Sequence, residues 1–238
     1  MNNDERVLDE PIWNALSGSQ AKYSIGGNTA KRYQRDTVPF ASFANLESPD
    51  WAALGRLVTI GEQLLIPAIA LPDDSGFKAV YIGYVRQYVY RAKMPPRVRG
   101  DIFATTLTVT DIPEMLNLAV EAKLGAMMKN ALDLGRFIGI RSQGKLVSMA
   151  GERINVDKYR EISEVCTAPD HVGQGLATFL ASRLVTDIIE CGEVPILHVN
   201  VDNARAIAVY ERIGFEYRKD NGIQFVEYTG EGRQISLV

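Results

Sequence analysis

The stretch VCTAPDHVGQGLATFL, residues 165–180, restricts this chain more than any other. Val165, Cys166 and Thr167 suit the end of a strand, and Ala168-Pro169-Asp170 is turn chemistry, because proline fixes its own φ and keeps the residue before it out of the helical region. From Leu176 the spacing becomes helical, with Leu176, Leu180, Leu184 and Ile188 on one stripe. The order is strand, glycine loop, helix. A helix start leaves N–H groups without internal partners at the positive end of the macrodipole, and Gly173 and Gly175 beside Gln174 let an anion reach them. The plainer reading is steric, since such turns carry glycine without binding anything. A Walker loop and a dinucleotide fingerprint are both excluded: no Lys-Ser/Thr follows the glycines and no third glycine completes the pattern.

With 238 residues, 46% hydrophobic and 23% charged, the chain can build one large domain or two small ones. A net charge of −3 gives no general attraction to nucleic acid or anionic membranes, and neither partner is expected. The basic set Arg86, Arg91, Lys93, Arg97 and Arg99 reads as a solvated strand end and linker and is assigned no partner. MNNDERVLDEPIW lacks an apolar signal-peptide core and no segment is long enough to span a bilayer, so a soluble, cytoplasmic protein is expected. Cys166 and Cys191 lack metal-ligand spacing, and His171 and His198 lie in no ligand or nucleophile motif. Neither a metal nor a serine triad is expected to do the chemistry.

Along the chain, SPDWAALGRLVTIG predicts a short helix capped by Ser48 with Pro49 in first position. QLLIPAIAL and AVYIGYVRQYVY read as two strands joined by the turn-rich PDDSG, and RAKMPPRVRGD as a linker at about residues 91–101. Then come a strand in ATTLTVT and a helix in DIPEMLNLAVEAK capped by Asp111, with Glu114 completing the cap. A hairpin turns around Ser142-Gln143-Gly144, and YREISEVCT is the strand that enters the glycine loop. VPILHVN is a further strand, NARAIAVYERIG a short helix, and FEYRKDNGIQFVEY a closing hairpin around Asn221-Gly222. The fold class is α/β (α+β): a mixed sheet with helices on both faces. Residues 1–100 form an N-terminal α/β region and residues 101–238 the second domain.

Downstream of the glycine loop, Asn203 follows a strand, Tyr210 comes two helical turns later, and Gly214-Phe215 ends the helix and re-enters the sheet. Taken singly, each has a structural explanation: an N-cap, a core aromatic, a helix stop. Taken together with Glu161-Ile162-Ser163, Pro169-Asp170, Gly173-Gln174-Gly175-Leu176-Ala177 and Asn203-x-x-Ala206-x-x-x-Tyr210, they resemble the GNAT superfamily of N-acetyltransferases over roughly residues 103–230. The resemblance implies a GNAT-like, mostly antiparallel sheet, and the N-terminal region is read as an extension or as a degenerate half of the same kind. The family's loop pattern is Gln/Arg-x-x-Gly-x-Gly/Ala. Gly175 and Ala177 occupy its last two positions, but Val172 stands where the polar or cationic residue belongs. Weaker coenzyme binding, or a compensating basic group elsewhere, follows.

The resemblance implies acetyl-CoA as cosubstrate, an amine as acceptor and a ternary complex without an acyl-enzyme. Main-chain groups of Val165, Cys166 and Thr167 would line the pantetheine arm, with an N–H, that of Val165, on the thioester oxygen. Amides of Val172, Gly173, Gln174, Gly175, Leu176 and Ala177 would hold the pyrophosphate, with Asn203, Ala206 and Tyr210 on the coenzyme's other flank. Tyr210 would protonate the leaving thiolate. Glu161 and Glu164 are the candidate bases. They lie an odd number of residues apart, so a regular strand turns them to opposite sides, and Glu161 is preferred from the family position. Relay through water would need neither. Cys166 lacks an activating neighbour in its motif and is not expected to act as a nucleophile. The competing reading is a non-catalytic acyl-CoA-binding or protein-interaction module on the same scaffold.

Overall fold

The computed structural model describes residues 3–124 and 127–230. In chain order the strands are β1 (Ser24–Gly26), β2 (Ala30–Tyr33), β3 (Ala41–Phe43), β4 (Gln63–Pro67), β5 (Phe77–Tyr90), β6 (Thr105–Leu107), β7 (Phe137–Ser142), β8 (Lys145–Val156), β9 (Tyr159–Thr167), β10 (Val194–Asn200) and β11 (Phe215–Tyr228). The α-helices are α1 (Pro11–Ser17), α2 (Trp51–Gly55), α3 (Ile112–Glu121), α4 (Leu176–Glu190) and α5 (Ala204–Ile213). They build two compact units. One takes the chain up to Arg35, Pro39–Val85 and the residues from Asp220 onward; the other takes Asp36–Val38 and Arg86–Lys219. β5 and β11 each begin in one unit and end in the other.

The first unit holds the antiparallel sheet β1-β2-β3, and β4 paired antiparallel to the second half of β11, from Ile223↔Pro67 to Glu227↔Gln63. Its core is an aromatic series, Phe43, Trp51, Phe77 and Tyr228, with successive ring centroids 4.9, 5.5 and 4.9 Å apart. β4 and β5 are not neighbours, as a hairpin through PDDSG would make them: β11 lies between them. Nor does β11 turn at Asn221-Gly222. Neither residue has a left-handed φ, so the strand runs straight through its turn signal to pair with β4. The helix α2 starts two residues later than expected. Its cap is Asp50, whose Oδ1 accepts from Ala53 N at 2.8 Å, and not Ser48.

The second unit carries the sheet order β11-β5-β10-β9-β8-β7-β6, antiparallel from β6 to β9 and parallel between β9 and β10. In β8, Leu146 through Glu152 are buried without a break. Successive strand residues alternate between faces, so both faces of the sheet are covered there, and α3 and α4 both pack on β8 and β9. α4 contributes Leu176, Phe179, Leu180, Leu184, Val185 and Ile188 to the core, the stripe its spacing predicts. Asp111 does not cap α3 with its side chain. The carboxylate turns back to Thr108 N at 2.7 Å and pairs with Arg141, which also takes Glu114. Asp111 is held by the capping box of the turn before α3, with Thr108, and Arg141 binds both carboxylates from outside.

The boundary between the units does not follow the expected break at residue 101. Tyr88 and Tyr90 belong to the second core, and the proline-rich stretch is laid along it, with Val98, Ile102 and Ala104 packed on the core and Tyr90 Oη donating to Met94 O at 2.7 Å. Residues 91–101 are thus part of the unit's surface and not a spacer.

Removing the cap tests the corrected start of α2. Asp50→Ala is expected to lower stability by about 1 kcal/mol and Ser48→Ala to leave it within a few tenths, as measured by urea denaturation.

Candidate active site

β8 and β9 pair in step at Ser148↔Thr167 and Met149↔Cys166, then resume at Gly151↔Ser163. Glu164 and Val165 together therefore face Ala150 alone, a β-bulge with one residue extra in β9. Glu164 takes a left-handed backbone, φ +53°, which a residue with a Cβ adopts at a cost of about 1 kcal/mol. On the other side of β9, the parallel pairing with β10 runs from Val194↔Tyr159 to Ile196↔Glu161. Beyond that pair both strands continue, β9 to Thr167 and β10 to Asn200, without further pairing to each other among the described residues. The ladder between them thus ends in a gap, with β9 leading on into the glycine loop.

The bulge overturns the parity argument for the two glutamates. With Glu164 inside the bulge in a left-handed backbone, strict alternation no longer sets its direction, and Glu161 and Glu164 both reach Arg153. Its guanidinium grips Glu161 through Nε (3.0 Å) and Nη2 (2.9 Å), while Nη1 lies 3.6 Å from Glu164. Their situations differ. Glu161 is fully buried and also accepts from Ile154 N at 3.3 Å and binds His198 Nδ1 at 2.8 Å. Burial alone would raise its pKa, but the Arg153 guanidinium and His198 outweigh it and hold the carboxyl far below the usual range. Glu164 keeps 12% of its side chain exposed. Burial, reinforced by the charge of Glu161, pushes its carboxyl up against the weaker pull of Arg153.

From Glu161 a buried polar chain crosses the sheet. His198 Nε2 lies 2.9 Å from Gln87 Nε2, and Gln87 Oε1 accepts from Arg218 at 2.8 Å. Arginine only donates, so the amide of Gln87 must present its NH2 to His198. The ring therefore accepts at Nε2 and donates Nδ1–H to Glu161. This chain ties β8, β9, β10, β5 and β11 together where β9 and β10 part. Sequence reading assigned His198 no role; its alternation with Ile196 on β10 was the available signal.

At the end of β9, Ser148 Oγ donates to Cys166 O at 2.8 Å and meets Thr167 Oγ1 at 2.8 Å. The Cys166 thiol is buried and pushed up to about 12 by that burial, with the charge of Glu164 adding to it. It is not a thiolate at neutral pH. Gly173 and Gly175 have left-handed φ of +93° and +79°, the conformation their residue type permits. Gly175 is the N-cap of the 15-residue α4 and offers no side chain to it, so the N–H groups of Leu176 and Ala177 are uncapped. Val172 is 44% exposed, and its apolar side chain offers an anion no donor.

Asn203 caps α5, its Oδ1 accepting from Ala206 N at 3.1 Å. The half-buried Tyr210 stands edge-on to Phe215, ring centroids 6.1 Å apart, and burial pushes its phenol up to about 12. Among the described residues its hydroxyl has no hydrogen-bond partner. No group of three or more His, Cys, Asp or Glu side chains able to hold a metal occurs among the described residues, and no described helix is long and apolar enough to cross a membrane.

The two glutamates should answer substitution oppositely. Glu161→Gln removes the closer, two-pronged charge partner of Arg153 and leaves it the looser one at Glu164, and is expected to cost about 3 kcal/mol. Because the folded-state pKa of Glu161 is depressed, its contribution is present above the ordinary carboxylate pKa and is lost as pH falls below it; Glu161→Gln should lack that part of the acid dependence. Glu164→Gly, which relieves a left-handed backbone and removes a desolvated acid, should instead raise stability by about 1 kcal/mol. Urea titrations at pH 7 and pH 4 read both.

The model of the FR47-like protein family matches residues 137–223, from β7 into β11. A search of the curated proteins finds no match. Among solved structures, one assigned to the GNAT family of acetyltransferases, from Novosphingobium aromaticivorans, is 30% identical with a TM-score of 0.84, covering 94% of this chain and 99% of that one. A GCN5-related N-acetyltransferase from Kribbella flavida (17% identity, TM-score 0.59, 91% and 96% covered) and a GCN5-related N-acetyltransferase-like protein from Streptococcus suis (17%, 0.55, 92% and 92%) share the fold. The identity and near-complete mutual coverage of the first of these, on a sheet that parts in front of a glycine loop, place the chain in the GNAT superfamily of N-acetyltransferases.

Proposed function

We propose that the chain transfers an acetyl group from acetyl-CoA to a primary amine by direct attack in a ternary complex, with the unit of residues 86–219 carrying the coenzyme and the chemistry. The observation that carries this reading is the bulge at Glu164-Val165 facing the gap between β9 and β10. There a strand presents main-chain groups without a neighbouring strand to take them, which is what an extended pantetheine arm requires.

In this reading the loop amides from Gly173 to Ala177 hold the pyrophosphate, and the arm runs along Val165, Cys166 and Thr167. The Val165 N–H donates to the thioester oxygen and stabilises the charge that grows there as the amine attacks. Glu164 takes the proton of the attacking amine: its raised pKa makes it a better proton acceptor than an ordinary carboxylate, and it keeps some access to solvent. Glu161, the base preferred from sequence, already has its oxygens occupied by Arg153, Ile154 and His198, which supports a structural role for it. Tyr210, protonated at neutral pH, donates to the departing thiolate; Asn203 and Ala206 flank the coenzyme at the start of the same helix. Direct attack is favoured over an acyl-enzyme because the Cys166 thiol stays protonated.

A panel of primary amines assayed with acetyl-CoA by release of free thiol tests the activity; acetyl-CoA binding without turnover on any amine would favour a non-catalytic binding module. Tyr210→Phe is expected to bind acetyl-CoA as wild type does and to turn over about 10²-fold more slowly. For the wild type, kcat/KM should rise with pH through a carboxylate limb placed above the ordinary glutamate pKa. Glu164→Gln should abolish that limb, and its survival would hand the proton to water or another group.

A further inference from the structure

Val172 leaves the glycine loop without the cation that its pattern calls for, yet one reaches it from elsewhere in the chain. Arg99 lies 75 residues before Gln174, and its Nη1 is 3.4 Å from the carbonyl oxygen of Gln174. The same atom is 3.4 Å from where a Cβ on Gly175 would stand, and among the described residues, apart from Gly175 and its chain neighbours, it is the one atom within 4 Å of that point. The guanidinium is therefore held over the start of α4, beside the uncapped N–H groups.

The rest of the side chain is fixed. Asp101 takes Nε at 3.0 Å and Nη2 as a two-pronged pair, which orients the guanidinium plane and leaves Nη1 turned to the loop. The segment is anchored by Val98 and Ile102, both packed on the core of the same unit, and Pro95-Pro96 restrict the backbone that leads into it. At 3.4 Å the bond from Nη1 to a neutral carbonyl is long, and a phosphate oxygen is a stronger acceptor for the same donor.

We propose that Arg99 is a coenzyme-binding residue, supplying to the pyrophosphate the positive charge that Val172 cannot. This rests on the coenzyme site proposed above and adds to it a ligand from a segment outside the loop pattern. One surplus donor aimed at a phosphate oxygen over a helix start corresponds to about a ten-fold to hundred-fold difference in affinity. Asp101 makes the charge local and directed, which favours a fixed contact over a diffuse attraction.

Calorimetric titration of the full chain with CoA and with dephospho-CoA, which keeps the pyrophosphate but lacks the 3′-phosphate, tests the proposal. Arg99→Ala should weaken both by the same factor, about ten-fold or more, and adding Val172→Arg to it should restore most of the loss. The melting temperature of each variant without ligand checks that the exposed substitutions leave folding intact. Unchanged affinity in Arg99→Ala would overturn the proposal. So would a loss confined to CoA, which would put Arg99 on the 3′-phosphate, or a loss that Val172→Arg fails to restore. No binding of CoA by the wild type would instead defeat the coenzyme site itself.

Discussion

One residue more in β9 than in β8, between the pairs Met149↔Cys166 and Gly151↔Ser163, is the constraint on which the second unit turns. At the extra residue Glu164 takes a left-handed backbone, Glu164 and Val165 leave the ladder, and Glu161 and Glu164 both reach Arg153. A bulge bends its strand and increases its twist. In β9 it lies just past the last pair with β10, where the two strands separate. The local cost is about 1 kcal/mol, and it falls in a stretch of β9 that no longer pairs with β10. Such strain is maintained because the strands around it are held by other means.

The holding is done by the chain Arg153, Glu161, His198, Gln87 and Arg218. Each member satisfies the next: two arginines that only donate close the ends, a fully buried carboxylate accepts from three groups, and the amide and imidazole between them have one consistent orientation. A buried network of this kind adds less to stability than to uniqueness, since a sheet that slipped by one residue would leave charges unpaired. The network lies at the last pair of β9 with β10; past it, the two strands do not pair with each other among the described residues.

Much of this was legible in the sequence. The strand, glycine loop and helix at residues 159–190 emerge with the expected bounds, because α4 has an unbroken apolar stripe and the loop has residue types that fit few other conformations. The cap at Asn203 and the hairpin at Gln143-Gly144 were legible for the same reason. The failures share a cause, which is competition from distant partners. Asn221-Gly222 is a turn signal only when no strand is waiting to pair with both halves, and β4 is. Asp111 caps the turn before α3 with Thr108 and not α3 itself, and Arg141 from β7 binds both Asp111 and Glu114. The bulge has no signature at all: Glu164 is an ordinary strand residue until the register with β8 is known. Parity along a strand, the argument used to separate the two glutamates, assumes the regularity that the bulge removes. Arg99 was counted among solvated charges because nothing local relates residue 99 to residue 174.

The account stands on the gap between β9 and β10 being the place where an acyl thioester is bound and polarised. A crystal structure with acetyl-CoA measures this most directly. The account predicts the pyrophosphate on the amides of Gly173–Ala177, the pantetheine arm between the two strands, and the thioester oxygen within about 3 Å of the Val165 nitrogen, the reach of an N–H···O bond. A coenzyme bound elsewhere, or a thioester oxygen turned away from the bulge with the Val165 N–H bonded to protein, would contradict it.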